Sequence, residues 1–227
     1  MAYFNRRVFR PRPVFPKRFH PPSSSILPMT LFPPSSDDPI RGRFMHQDFS
    51  NKFLIYADGA CLSNDSGDAK AGCAFVFQPP GPDSFGPPGK YFRLENEGPM
   101  GQPYPQTSNR AELRAVIAAL RYLQWTREGF KTLVTATDSK YVVQGATSWV
   151  HGWTRNGWTT SNGEPIVDQY LWRCLLEEVE DWQVLGLEIQ FWLIPRMLNH
   201  EAHRYAEFGA QMDDVPHFVN QKWEEDE

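Results

Sequence analysis

Asp58 and Asp138 each close an apolar run, "KFLIYAD" and "TLVTATD", and each is followed by a small residue, Gly59 and Ser139. Glu112 falls in the first turn of "TSNRAELRAVIAALRYLQW", in line with Ala115, Val116, Ala119, Leu120 and Leu123. That is the i, i+3, i+4, i+7 spacing of a buried helix face. An aspartate at a strand end is commonly a turn former or helix cap. A glutamate on a buried face is costlier and needs a compensating partner. Arg110 or Arg114 would compensate Glu112 alone; a shared cation would compensate all three acids. Oxygen-only ligands suit Mg²⁺ or Mn²⁺, and clustered carboxylates are how a protein holds two such ions for phosphoryl chemistry.

A second set of candidates lies in "MLNHEAHRYAEFGA", residues 197–210, where His200 and His203 are three apart. With Asn199 as helix cap, His203 borders the apolar stripe of Ala202, Tyr205, Ala206 and Gly209 and can face the sheet. Its place near the positive end of the helix dipole favours the neutral ring, the form able to bind a metal. His200 projects elsewhere and reads as a solvated first-turn residue. Glu201 adjoins His203, and consecutive helix positions do not face the same way. Cys61, Cys73 and Cys174 have no metal-ligand spacing and imply reduced thiols.

The elements that must position these groups alternate in type. "KFLIYADGAC", "AGCAFVFQ" and "KYFRLEN" read as strands in an antiparallel meander. The long helix carrying Glu112 follows, then "TLVTATD" as a fourth strand, short helices over "SKYVVQGATSWVHGW", a helix over "IVDQYLWRCLLEEVEDW", "LEIQFWLIP" as a fifth strand, and a final helix from Asn199. If the strands ending at Asp58 and Asp138 are parallel and joined by the crossover helix, both acids share the carboxyl edge of an α/β sheet. Open α/β sheets bind ligands at that edge.

The ends differ in composition. Residues 1–47 are rich in proline, serine and arginine without periodicity, so the segment is expected to be disordered. Its first 36 residues hold Arg6, Arg7, Arg10, Arg12, Lys17 and Arg18 and no acid, whereas the other 191 carry 17 basic and 27 acidic side chains. A uniformly basic nucleic-acid binder is therefore excluded. A plain solvated tail is the default for this segment, beside a nucleic-acid-binding arm or a transit segment. The domain is expected over 48–213 and a frayed acidic tail over 214–227. With no apolar leader or membrane span, the chain reads as an intracellular protein of nucleus, cytoplasm or mitochondrion. It is also expected to be a monomer, without membrane contact or organic cofactor.

In this order and spacing, "YADGAC", "TSNRAEL", "TDSKYVVQG" and "IPRMLNHEAHRYA" resemble ribonuclease H of the type 1 class, across roughly residues 52–210. The resemblance implies a ribonuclease H-like α/β fold, a five-stranded mixed sheet flanked by helices. It implies hydrolysis of the RNA strand of RNA–DNA hybrids with two divalent ions, leaving 3′-hydroxyl and 5′-phosphate ends. Asp58 would bridge both ions, with Glu112 and Asp138 on the leaving-group side. At the fourth metal position, where the family has Asp in a pattern like N-x-x-A-D-x-L-A, this chain has His203. The implied metal and catalytic set is thus Asp58, Glu112, Asp138 and His203. Imidazole suits Mn²⁺ better than Mg²⁺, so activity is expected to persist with a preference for Mn²⁺.

The resemblance also implies nucleic-acid contacts at Gly59, Cys61, Asn64, Thr107, Asn109 and Lys140, and at Trp149, Trp153 and Trp158 of a protruding handle. Thr107 is equally a good helix-start residue, and at least one handle tryptophan is expected to pack rather than bind. Between residues 146 and 165 Arg155 is the only Lys or Arg, so the handle attracts phosphate weakly and the basic arm is expected to compensate. Two other readings stand beside the nuclease. One is a hybrid-binding module whose catalysis is weak or lost at His203. The other is an integrase- or exonuclease-like use of the same sheet, against which the "TSNRAEL" helix start and the tryptophan handle argue.

Overall fold

Apolar runs set the strands and the stripe beginning at Glu112 sets the most deeply buried helix, in a computed structural model that describes residues 13–35, 42–63, 68–80 and 88–221. In chain order the elements are Lys17–Arg18 (β1), Pro28–Leu31 (α1), Phe44–Met45 (β2), Lys52–Leu62 (β3), Lys70–Val76 (β4), Gly89–Arg93 (β5), Ser108–Tyr122 (α2), Thr132–Thr137 (β6), Lys140–Gln144 (α3), Val150–Trp153 (α4), Gln169–Val184 (α5), Glu188–Leu193 (β7) and His200–Gln211 (α6). A π-helical turn, Gly145–Trp149, joins α3 to α4.

One mixed sheet orders the strands β1-β7-β6-β3-β4-β5, with β2 also paired to β3. β3, β4 and β5 form the expected antiparallel meander, while β6 runs parallel to β3 and β7 parallel to β6. The five long strands are those expected; β1 and β2 add two residues each. α2 and α5 cover one face, over a core that includes Ile55, Phe75, Leu120 and Trp172. No helix among the described residues is long and apolar enough to cross a membrane.

The N-terminal segment departs from expectation. Residues 13–35 and 42–47 pack on the sheet rather than forming a structureless tail. Phe19, Leu31, Phe32 and Phe44 are buried with Leu54, Tyr56, Val134 and Trp192 on the face opposite α2. Few but large side chains do this, each removing enough apolar area to offset ordering a proline-stiffened, extended chain, so no periodic pattern is needed. Residues 1–12 and 36–41 lie outside the described residues.

The far terminus differs too. Residues 214–219 dock rather than fray: the amides of Asn96 and Glu97 donate to the carbonyls of Val215 and Pro216, and Arg93 pairs with Asp214. Buried Arg114 pairs with buried Glu95 at 2.7 Å, donates to the Val219 carbonyl, and lies over the Phe218 ring. Residues 222–227 are outside the described set.

Candidate active site

The parallel register of β3 and β6 pairs Tyr56 with Ala136. Two residues further along each chain stand Asp58 and Asp138, so the two acids emerge side by side at one edge of the sheet. β3 runs past Asp58 to Leu62, one residue beyond the end of the expected "KFLIYADGAC" strand, and is paired there with β4 alone. Asp58 is consequently buried, at 2% exposure, with its side chain accepting from the Gly59 amide at 2.8 Å.

Gly59 brings in the third acid. A Cβ at this position would lie 2.2 Å from the Glu112 backbone nitrogen and 2.4 Å from the Ala111 carbonyl carbon. Only a residue without a side chain lets the first turn of α2 rest directly on β3. Glu112 then accepts a short hydrogen bond from the Ser139 hydroxyl. The ion-pair partners considered for it are engaged elsewhere: Arg114 with Glu95, and Arg110 with the Tyr170 hydroxyl and the carbonyls of Glu97, Tyr104 and Pro105.

α6 closes the site. Asn199 makes no side-chain cap to its helix; its amide nitrogen donates instead to the Ala57 carbonyl at 3.1 Å and to Asp138 Oδ1 at 2.8 Å. His203 Nδ1 lies 2.9 Å from Asp58 Oδ2, and its Nε2 lies 2.8 Å from an Arg196 nitrogen. One tautomer satisfies all three groups, with Nδ1–H donating to Asp58 and Nε2 accepting from Arg196. Arg196 also reaches Asp138 at 3.9 Å. His200 is exposed and takes no part.

Charge is crowded here. Burial, and next the neighbouring Asp138, push the Asp58 carboxyl up to about 6, against the Gly59 amide and His203. Burial pushes Glu112 up to about 7, with Asp58 and Asp138 adding to it, against the Ser139 hydrogen bond and Arg196. Carboxylates that raise one another in this way are a donor set short of positive charge, which a divalent cation supplies. Among the described residues no three His, Cys, Asp or Glu side chains surround one point. They rest instead on Ser139, Asn199 and one another, so the donor chemistry fits a cation that would part Asp58 from His203.

The remaining expected contacts are scattered around this edge. Thr107 caps α2 by accepting from the Arg110 amide, and Asn109 is exposed beside it. Cys61 is partly buried, its thiol 3.5 Å from the Gln106 carbonyl and its pKa raised by burial. Lys140 is exposed on the first turn of α3. Asn64 lies outside the described residues. In the handle Trp149 is 40% exposed and Trp158 8% exposed. Trp153 packs between them and against Trp172.

Four residues here carried no signal in the sequence reading: Ser139, Arg196, Asn199 in its role on Asp138, and Gln106. The Gln106 side chain accepts from the Ala71 amide and Arg93, and donates to the Leu94 and Glu95 carbonyls and to Asn96. It thereby fixes the loop that leads into Thr107. A glutamine before a helix cap is too ordinary a pattern to have flagged it.

The chain is similar to known proteins in sequence and in fold. Residues 50–188 match the RNase H family, a span that includes Asp58, Glu112 and Asp138 and ends before His203. The chain is 33% identical to Ribonuclease H1 of Mus musculus over 165 residues, which cover 71% of this chain and 51% of that protein. It is 36% identical to Ribonuclease H of Nitrobacter hamburgensis over 130 residues, 57% of this chain and 73% of the other. The chain thus spans about half the length of the mouse relative. The fold also superposes, with a TM-score of 0.50 and 14% identity, on a foamy viral protease–reverse transcriptase solved in complex with an RNA/DNA hybrid, covering 86% of this chain and 22% of that one. With three acids at one sheet edge, and a family match over residues 50–188 that takes in more than half of the chain, the chain belongs to the ribonuclease H family.

Proposed function

We propose that this protein is an endoribonuclease that hydrolyses the RNA strand of RNA–DNA hybrids, using Mg²⁺ or Mn²⁺ held by Asp58, Glu112, Asp138 and His203. The observation that carries this reading is the convergence of Asp58, Glu112 and Asp138, two of them with raised carboxyl pKa values, on one edge of the sheet. Divalent ions at such a site activate water and neutralise charge on the departing 3′ oxygen.

The chain's own groups do the positioning. Ser139 holds one carboxylate oxygen of Glu112 and Asn199 one of Asp138, whose other oxygen lies 3.9 Å from Arg196. Asp58 is held from below by the Gly59 amide. Arg196, 68% exposed on its side chain, is placed to meet an incoming phosphate. Thr107 and Asn109, at the start of α2, can donate to RNA 2′-hydroxyls.

A second reading is favoured by one specific contact, the 2.9 Å approach of His203 to Asp58. If His203 keeps Asp58 engaged, the protein binds hybrids without cutting them. End-labelled RNA–DNA hybrid, incubated with wild type, Asp58→Asn and His203→Asp in Mg²⁺ and separately in Mn²⁺, decides between them. Wild-type cleavage that disappears in Asp58→Asn supports the nuclease. Silence from wild type in both metals, with cleavage gained in His203→Asp, supports the binding module.

A further inference from the structure

A buried carboxylate outside the catalytic edge has no partner. Asp168 stands at the N-cap position of α5 in the left-handed region, φ 55°, where residues other than glycine are uncommon. It is 9% exposed, and its Oδ2 finds no hydrogen-bond partner among the described residues. Nor does its side chain cap the helix. Arg110, whose charge reaches it, is spent on the Tyr170 hydroxyl and on the carbonyls of Glu97, Tyr104 and Pro105. A buried carboxylate in this state is costly unless a donor meets it.

Asp168 lines a cavity of about 320 Å³, with Tyr104, Ile166, Gln169, Tyr170 and Arg173 around it. That volume is in the range of small-molecule sites. The Tyr104 and Tyr170 rings are stacked, their centroids 4.0 Å apart. Arg173 is exposed, and its guanidinium lies over the Trp158 ring, 4.9 Å from the centroid. The cavity adjoins both elements expected to contact nucleic acid. Tyr104 runs three residues ahead of Thr107, and the Ile166 amide donates to the Trp158 carbonyl of the handle at 3.0 Å.

We propose that this cavity is a base-binding site and that the base it takes is guanine. A carboxylate accepts two N–H groups side by side, an arginine donates, and aromatic rings supply a flat wall for a base. Guanine presents N1–H and N2–H together for Asp168, and O6 and N7 for Arg173. Adenine and cytosine set an amine beside an acceptor, and uracil and thymine set one N–H between two acceptors. Each of these turns a lone pair towards the carboxylate. The guanine comes either from an unpaired position of a nucleic-acid strand or from a free guanine nucleotide; only the first source rests on the hybrid-nuclease reading.

The test uses the full chain without divalent metal. Equilibrium dialysis gives its affinities for GMP, IMP and AMP, which share the phosphate and differ in the base edge; IMP lacks only the N2 amine. GMP is expected to bind at least ~10-fold more tightly than IMP or AMP, the loss that follows when a donor to a charged group is removed. Fluorescence anisotropy then compares RNA–DNA hybrids ending in a single-stranded DNA overhang of guanine or of hypoxanthine bases, at about 50 and about 200 mM salt. The preference for guanine should persist at the higher salt, because phosphate contacts do not make it. Asp168→Asn keeps a residue that tolerates the left-handed region and should abolish the preference in both arms. Arg173→Ala should weaken GMP binding.

A preference confined to GMP assigns the site to free nucleotide, and one confined to the overhang assigns it to a strand. Equal binding of all three nucleotides with equal binding of both overhangs overturns the site while leaving the nuclease reading intact. A preference that survives in Asp168→Asn overturns it as well. Selective GMP binding by a chain that binds no hybrid keeps the site and overturns the hybrid reading.

Discussion

His203 Nδ1 stands 2.9 Å from Asp58 Oδ2, joining the first turn of α6 to the most buried acid of the site. A neutral imidazole here removes one negative charge relative to a carboxylate and presents nitrogen in place of oxygen. Such a site should favour Mn²⁺ over Mg²⁺. His203→Asp is expected to raise cleavage in Mg²⁺ and to lower the ratio of rates in Mn²⁺ and Mg²⁺, measured as kcat on an end-labelled hybrid. His203→Ala should lower kcat by about 10-fold or more, in the range seen when groups that tune a metal are lost. A ratio that neither substitution moves would remove His203 from the metal site.

Asp58 and Glu112 make the metal-free protein pH-sensitive in a definite direction. Both carboxyls are raised in the fold, to about 6 and about 7, so the folded state prefers them protonated. The stability they contribute is complete below about pH 4, near their unfolded pKa values, and is lost as pH rises through 6 and 7. In EDTA, the Tm of Asp58→Asn/Glu112→Gln should therefore exceed that of wild type at pH 8 by several degrees and converge on it near pH 4. Mg²⁺ should raise the wild-type Tm more at pH 8 than at pH 5.5, because at the lower pH it must first displace protons. A Mg²⁺ effect that is equal at both pH values would mean that these acids do not hold the ion.

That these acids would meet was legible because chain position constrained each of them: Asp58 and Asp138 each follow an apolar run, and Glu112 lies on a helix face where a charge is out of place. The groups that orient them were not. Ser139 and Asn199 are common residues in common turn and cap positions, and only the fold shows that their side chains serve Glu112 and Asp138. Periodicity located β3 through β7 but was blind to the N-terminal segment that packs on the sheet. Phe19, Phe32 and Phe44 are spaced too irregularly for any repeat, yet they cover the second face of the sheet. The docked segment at 214–219 was hidden for a related reason, since its bonds to Glu95, Asn96 and Arg114 join residues over 100 positions apart.

Gly59→Ala tests how the site is assembled. The added methyl would fall 2.2 Å from the Glu112 amide nitrogen, and both groups belong to backbones that cannot swing aside. α2 must lift from β3, carrying Glu112 away from Asp58 and Asp138. Overpacking of this kind costs about 1–3 kcal/mol, so a folded protein with a lowered Tm is expected. Cleavage should fall by much more than the Tm change alone would cause, since the reacting geometry is disturbed directly. Wild-type activity in this variant would show that the contact between α2 and β3 is not what places Glu112.

The docked C-terminal segment completes a buried ion pair and should be measurable as stability. Arg114 and Glu95 are each 1% exposed, and Glu95 Oε1 also accepts from the Val219 amide while Arg114 lies between the Phe92 and Phe218 rings. Removing one charge leaves the other buried without a partner, at a cost of about 3–5 kcal/mol. Glu95→Ala should accordingly destabilise the chain by that order in urea unfolding. Stopping the chain after Asp214 keeps this pair and the Arg93–Asp214 pair but opens Arg114 and Glu95 to water and removes the backbone bonds made by Val215, Pro216 and Val219. Its cost should be smaller, about 1–3 kcal/mol, with kcat retained because no group of the carboxylate site is touched. A truncation as damaging as Glu95→Ala would mean that the pair does not form without its cover.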